Sequence, residues 1–135
     1  MTTTRRQILL GAAALGLLPV ARAAQAMIDY TPGLVQQRLA AGETVFVDFS
    51  ATWCSTCRAQ GRVIEGLRAA NPAYDAAMTF VKVDWDTYGT GDLSRALSIP
   101  RRSTLVLLRG EEELGRIVAQ TAERDIRALM DLGLG

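Results

Sequence analysis

Cys54 and Cys57 stand three residues apart and are the only cysteines in a chain of 135 residues. This spacing suits thiol–disulfide exchange, in which one thiolate attacks a disulfide and the second thiol then displaces the resulting mixed disulfide. Two other arrangements share the spacing: a structural bridge, and half of a four-cysteine metal site completed by a second chain. A bridge closing so short a loop would restrain the unfolded chain little, so stability is a poor reason for it. The sequence has no histidine, which excludes Cys–His and Ser–His nucleophilic machinery and every zinc site that needs an imidazole. The chemistry must run on sulfur, carboxylate or amine.

The elements around the pair determine which sulfur is reactive. Residues 44–50 hold Val45, Phe46, Val47 and Phe49, a β-branched and aromatic run that predicts a strand buried on both faces, interrupted by Asp48. Beyond Cys54, apolar Val63, Ile64, Leu67 and Ala70 recur at helical spacing until Asn71-Pro72 breaks the pattern. Cys54 thus falls where a buried strand hands over to a helix, beside orphan N–H groups that favour a thiolate. That makes Cys54 the nucleophile and Cys57, in the first helical turn, the resolving thiol.

The remaining pattern surrounds this unit. Thr31-Pro32 predicts an N-cap and first helical position, with Leu34, Val35 and Leu39 on one face and Gly42 as a stop. Residues 78–83 predict a strand, Gly89-Thr90-Gly91 a loop and residues 93–97 a short helix. Apolar runs at 104–108 and 114–118, joined by Arg109-Gly110-Glu111-Glu112-Glu113, predict a hairpin, and Ile126, Leu129 and Met130 mark a last helix. The expected fold is one α/β domain with a central mixed β-sheet flanked by helices on both faces. Apolar residues make up 49% and charged residues 21% of the chain, the balance of a globular protein.

Val47-Asp48-Phe49-Ser50-Ala51-Thr52-Trp53-Cys54-Ser55-Thr56-Cys57 resembles the active-site strand and turn of thioredoxins, and Lys82 within Phe80-Val81-Lys82-Val83-Asp84 extends the likeness. The resemblance spans about residues 31–132 and implies the thioredoxin fold. It also implies that Asp48 is a buried carboxylate behind Cys57, its pKa raised by desolvation so that it moves a proton during exchange. Lys82 would pair with Asp48, and Trp53 would cover the disulfide and shape the docking surface. No cofactor is implied. The partners would be protein disulfide substrates, with a membrane electron donor, and the chain would act as a monomer.

The family pattern breaks at one point. Thioredoxins carry a cis-proline directly before a threonine that opens the strand facing the cysteines, and here Ser103-Thr104 aligns with that pair, making both candidate substrate-binding residues. A non-proline cis bond costs roughly 2.5–4 kcal/mol, so the Ser103 peptide is expected to be trans. Pro100 is the alternative for the proline position if the loop is shorter. Loss of the proline would alter the groove beside the disulfide and could open the thiols to a metal or an iron–sulfur cluster. Arg101-Arg102 would form a cationic rim there or simply a solvated loop.

The first 26 residues carry an address. Arg5-Arg6 precede an apolar stretch of about 13 residues, 8–20, and small residues follow at Ala21, Ala23, Ala24 and Ala26. A membrane-spanning helix needs ~20 residues, so a cleaved export signal fits better, with cleavage after residue 23 or 26. The paired arginines resemble a twin-arginine signal; an ordinary secretory signal shares the layout. Either route predicts a periplasmic domain over 27–135. Three of the 15 basic residues lie in this segment, leaving fewer basic than the 14 acidic residues, a surface that does not suggest nucleic acid.

Ala51-Thr52-Trp53-Cys54, the segment 84–92 and Leu97-Ser98-Ile99 also resemble the exported C-terminal domain of the transmembrane disulfide reductase, which implies a reducing role. The expected function is therefore an exported thiol–disulfide oxidoreductase that reduces protein disulfides. A disulfide-forming oxidant, or a metal-carrying or interaction module on the same fold, are the alternatives.

Overall fold

A computed structural model of the protein describes residues 25–135 and the isolated Gly16. The expected export signal at 1–26 lies outside the described residues apart from Gly16, Gln25 and Ala26, and so does the expected cleavage position after residue 23.

Alternation of side chains along the strands divides the core into two layers, because successive residues of a strand point to opposite faces. Strands β1 (Ile28–Asp29), β2 (Thr44–Ser50), β3 (Met78–Asp84), β4 (Thr104–Arg109) and β5 (Glu112–Val118) form one sheet in the order β1-β3-β2-β4-β5. β1 and β2 run parallel to β3, whereas β4 is antiparallel to both β2 and β5. Phe46, Phe80, Leu105 and Leu107 pack against α2 (Ser55–Ala70), α3 (Ala73–Ala77) and α6 (Glu123–Leu132). Val45, Val47, Phe49, Val81, Val83 and Val106 pack against α1 (Leu34–Ala40), α4 (Trp85–Tyr88) and α5 (Asp92–Ala96) on the other face. Each large apolar side chain buried in these layers contributes roughly 1.5–3 kcal/mol. The mixed sheet with helices on both faces is the one expected.

The central strand β2 is buried on both sides, as its β-branched run requires, and Asp48 is the polar exception within it. Asp48 lies on the α2 face, paired in register with Lys82 of β3 and Leu105 of β4. The chain leaves β2 at Ser50 and enters α2 at Ser55, so residues 51–54 form the turn that presents Cys54.

Three local details depart from the pattern. Thr31-Pro32 do not cap α1: Gly33, with φ +90°, is its N-cap, and the Leu34 N–H closes a turn on the Thr31 carbonyl at 3.0 Å. Glycine takes that left-handed conformation without a Cβ penalty, which moves the helix start two residues on. Asn71-Pro72 ends α2, but Asn71 Oδ1 accepts the Ala73 N–H at 3.1 Å and starts α3, a helix that buries Tyr74. β1 and α4 are too short for periodicity to reveal.

Candidate active site

Cys54 occupies the N-cap of α2 with extended backbone angles, and its Sγ accepts the Cys57 N–H at 3.2 Å. Sulfur thereby takes the place that a serine or aspartate oxygen commonly holds at this position, and the helix dipole favours negative charge there. Both cysteines are free thiols and almost wholly buried, 4% and 2% exposed. Trp85 of α4 packs against them together with Ala51.

The residue in closest polar contact with the sulfurs is Ser103. Its Oγ lies 3.3 Å from Cys54 Sγ and 3.0 Å from Cys57 Sγ. Of the two candidates for the proline position, Ser103 rather than Pro100 meets the dithiol. No peptide bond among the described residues is cis, and Ser103 instead takes a left-handed φ of +62°. Its N–H donates to the Phe49 carbonyl at 2.7 Å, and its carbonyl accepts from the Ala119 N–H at 2.8 Å and from Gln60 Nε2 at 3.0 Å. A proline could supply neither that N–H nor that φ.

Burial works against ionising Cys54, but hydrogen bonds from Cys57, Ser103 and Arg102 outweigh it and bring the thiol down from 9.0 to about 6. Asp48 is pushed the other way. Its removal from water raises the carboxyl from 3.8 to about 7, against the lowering effect of Lys82 and with a small added push from Cys54. Asp48 Oδ1 is buried without a hydrogen-bond partner. A carboxyl in this state can accept a proton near neutral pH.

The expected pairing of Lys82 with Asp48 is not a contact. The residues are register partners, but Lys82 is exposed, and among the described residues no ion pair joins them. The ammonium stays in water and acts on the buried carboxyl through space. Both residues line a cleft of about 790 Å³ that also reaches Cys57, Thr52, Arg58 and Asp84.

Trp53 is 56% exposed beside Cys54. Its Nε1 donates to both carboxylate oxygens of Asp86, at 3.0 and 3.1 Å, and the Arg102 guanidinium lies 4.4 Å from its ring centroid. Thr104, by contrast, is not brought to the site. It is buried, and its Oγ1 donates back to the Arg101 carbonyl at 2.7 Å. Ser103 is likewise fully buried, so its side chain meets the sulfurs and cannot serve as an exposed docking surface.

Gln60 was not singled out in the sequence. It is fully buried, and its Nε2 ties the Ser103 and Gln120 carbonyls to α2 at 3.0 and 2.9 Å. The available signal was a polar residue on the stripe formed by Cys57, Ile64 and Leu67. Of the pair expected as a cationic rim or a solvated loop, Arg102 lies over Trp53 and helps lower Cys54, whereas the contact of Asp86, in α4, with Trp53 spans residues far apart in sequence and carries no local signal. Among the described residues, no three His, Cys, Asp or Glu side chains converge on a metal position.

The sheet order, the helix flanks and a dithiol at the N-terminus of α2 define a thioredoxin-fold dithiol protein. A family model described as Thioredoxin matches residues 27–132, and the chain belongs to the thioredoxin family. Thioredoxin H2-1 of rice is 38% identical over 81 residues, which cover 60% of this chain; the chain spans about half, 53%, of that relative's length. Putative thioredoxin 2 of Streptomyces coelicolor is 31% identical over 105 residues, 78% of this chain and 72% of its own. Among solved structures, Trxlp from Edwardsiella tarda superposes with a TM-score of 0.65 at 30% identity, covering 78% of this chain and 96% of its own. The Malassezia sympodialis thioredoxin, at 22% identity and a TM-score of 0.66, covers 87% of this chain and 100% of its own and bears on the fold alone.

Proposed function

We propose that the protein is an exported thiol–disulfide oxidoreductase that reduces protein disulfides through Cys54 and Cys57. The observation that carries the exchange chemistry is the placement of Cys54, a helix-capping thiol lowered to about 6 next to a second free thiol; the reducing direction is proposed from the likeness of residues 51–54, 84–92 and 97–99 to the transmembrane disulfide reductase domain. The Cys54 thiolate attacks one sulfur of a substrate disulfide, forming a mixed disulfide and releasing the other substrate sulfur as a thiolate. Cys57 then gives its proton to the Asp48 carboxylate, and its sulfur attacks Cys54 to expel the second substrate thiolate. The substrate gains two electrons, and the protein ends as the Cys54–Cys57 disulfide. A membrane electron donor restores the dithiol.

The test is trapping. Cys57→Ala should accumulate mixed disulfides between Cys54 and substrate proteins, and the intact protein should reduce insulin. A soluble, folded Cys57→Ala protein that traps nothing would count against exchange.

One observation favours a second reading, a disulfide-forming oxidant. A nucleophile ionising at about 6 stabilises the reduced state and so raises the potential of the couple. Equilibration with glutathione buffers separates the two directions.

Export is proposed from Arg5-Arg6, the apolar stretch 8–20 and the small residues after it. Replacing both arginines with lysine should leave the protein in the cytoplasmic fraction if the twin-arginine route is used.

A further inference from the structure

We propose that the Ser103 hydroxyl is a catalytic hydrogen-bond donor that follows the negative charge from the Cys54 sulfur to the Cys57 sulfur, and that Gln60 positions it. This role rests on the exchange reaction proposed above.

A serine hydroxyl has one hydrogen to donate and two lone pairs to accept with. Placed 3.3 Å from Cys54 Sγ and 3.0 Å from Cys57 Sγ, it can donate to one sulfur while accepting from the other. In the resting dithiol, Cys57 S–H donates to Ser103 Oγ and Ser103 O–H donates to the Cys54 thiolate. When Cys54 attacks a substrate disulfide, its charge leaves with the departing substrate thiolate. Cys57 then passes its proton to Asp48, and the Ser103 O–H turns to the new Cys57 thiolate while that sulfur attacks Cys54. The hydroxyl hydrogen stays on oxygen throughout, so no proton or electron is gained or lost by Ser103.

The surroundings leave the hydroxyl little else to do. Ser103 is fully buried, and its backbone is held by Phe49, Ala119 and Gln60 in a conformation that a residue with a Cβ seldom adopts. Gln60 spends its amide donors on the Ser103 and Gln120 carbonyls and leaves its own Oε1 without a partner. An orphaned buried acceptor is unfavourable; here it accompanies a clamp that fixes two loops one helical turn beyond Cys57. Once the disulfide forms, neither sulfur is charged. The donor therefore stabilises the dithiol state specifically and makes the couple more oxidising.

The test compares Ser103→Ala and Ser103→Gly with the parent chain, by the pH profile of Cys54 alkylation and by equilibration with glutathione. Loss of the donor should move the alkylation midpoint up by about one pH unit, a tenfold change in ionisation. The glutathione equilibrium should move roughly tenfold toward the disulfide, equivalent to about 30 mV. Glycine accepts the left-handed φ, so it keeps the test open if the alanine protein folds poorly. Gln60→Leu should move the midpoint in the same direction and add little in the Ser103→Ala background. Folded Ser103→Ala and Ser103→Gly proteins with the parent midpoint and equilibrium would overturn the donor role, and full additivity of Gln60→Leu would overturn its positioning role. Alkylation needs no protein substrate, so a shifted midpoint in a chain that cannot reduce insulin would uphold Ser103 and refute the reductase instead.

Discussion

Asp48 and Lys82 stand opposite one another in the register of β2 and β3, yet the ammonium remains in water while the carboxyl is almost wholly buried. A direct ion pair would hold the carboxyl ionised well below neutrality. Influence through space lowers it only part of the way, leaving Asp48 at about 7, where it can both take and release a proton.

Removing the distant charge should be visible in the kinetics. Lys82→Met takes away the influence that lowers Asp48. The acid limb of the pH profile for insulin reduction should move upward, and the Cys54 alkylation midpoint should change little. An unmoved acid limb would mean that Asp48 does not receive the Cys57 proton.

The stability of the reduced protein should pass through a minimum between about pH 6 and pH 7. Asp48 is raised from 3.8 to about 7, so its contribution is fully present below 3.8 and is lost as pH rises through about 7. Cys54 is lowered from 9.0 to about 6, so its contribution is fully present above 9.0 and is lost as pH falls through about 6. Denaturant midpoints under reducing conditions should show both limbs; Asp48→Asn should flatten the acid one and Cys54→Ser the alkaline one. A monotonic curve for the parent chain is incompatible with these two shifts.

Gly89→Ala should disturb the site from a distance. A Cβ there would lie 2.6 Å from the Trp85 carbonyl oxygen and 2.8 and 2.9 Å from its indole Cδ2 and Cε2. Trp85 packs on the dithiol and edge-on to Phe49, so it has little room to retreat. The expected loss is about 1–3 kcal/mol by thermal unfolding, with an altered Cys54 alkylation rate.

Arg102 should couple the exposed surface to the thiol. Arg102→Ala removes the stack on Trp53, worth about 0.5–1 kcal/mol, and the contact that helps ionise Cys54. The alkylation midpoint should rise. Arg102→Lys should not restore it fully, because an ammonium lacks the flat face that rests on the indole; full restoration would reduce Arg102 to a point charge.

The parts of the site that were legible in the sequence are those fixed by local pattern. Cys54 and Cys57 announced their chemistry by spacing, and the run around Asp48 announced a buried strand because β-branched residues cluster on both sides of it. The family likeness added Trp53 and Lys82. Ser103 was visible only as the place where the pattern fails. Its contact with both sulfurs depends on a left-handed backbone held by partners 43 to 54 residues away in sequence or drawn from another strand end, such as Gln60 and Phe49. Thr104 was assigned to the site by position along the chain, and strand alternation turns it to the other side. The Lys82 contact failed for a related reason: register sets which Cα atoms are opposite, and side-chain solvation decides whether the charges meet.

Lys82 is also the only lysine in the chain, every other basic side chain being arginine. Being exposed, it offers amine-directed reagents a single side-chain target. A fluorophore attached there would sit at the mouth of the cleft that reaches Asp48 and Cys57, a built-in handle for following the oxidation state of individual molecules without introducing another cysteine.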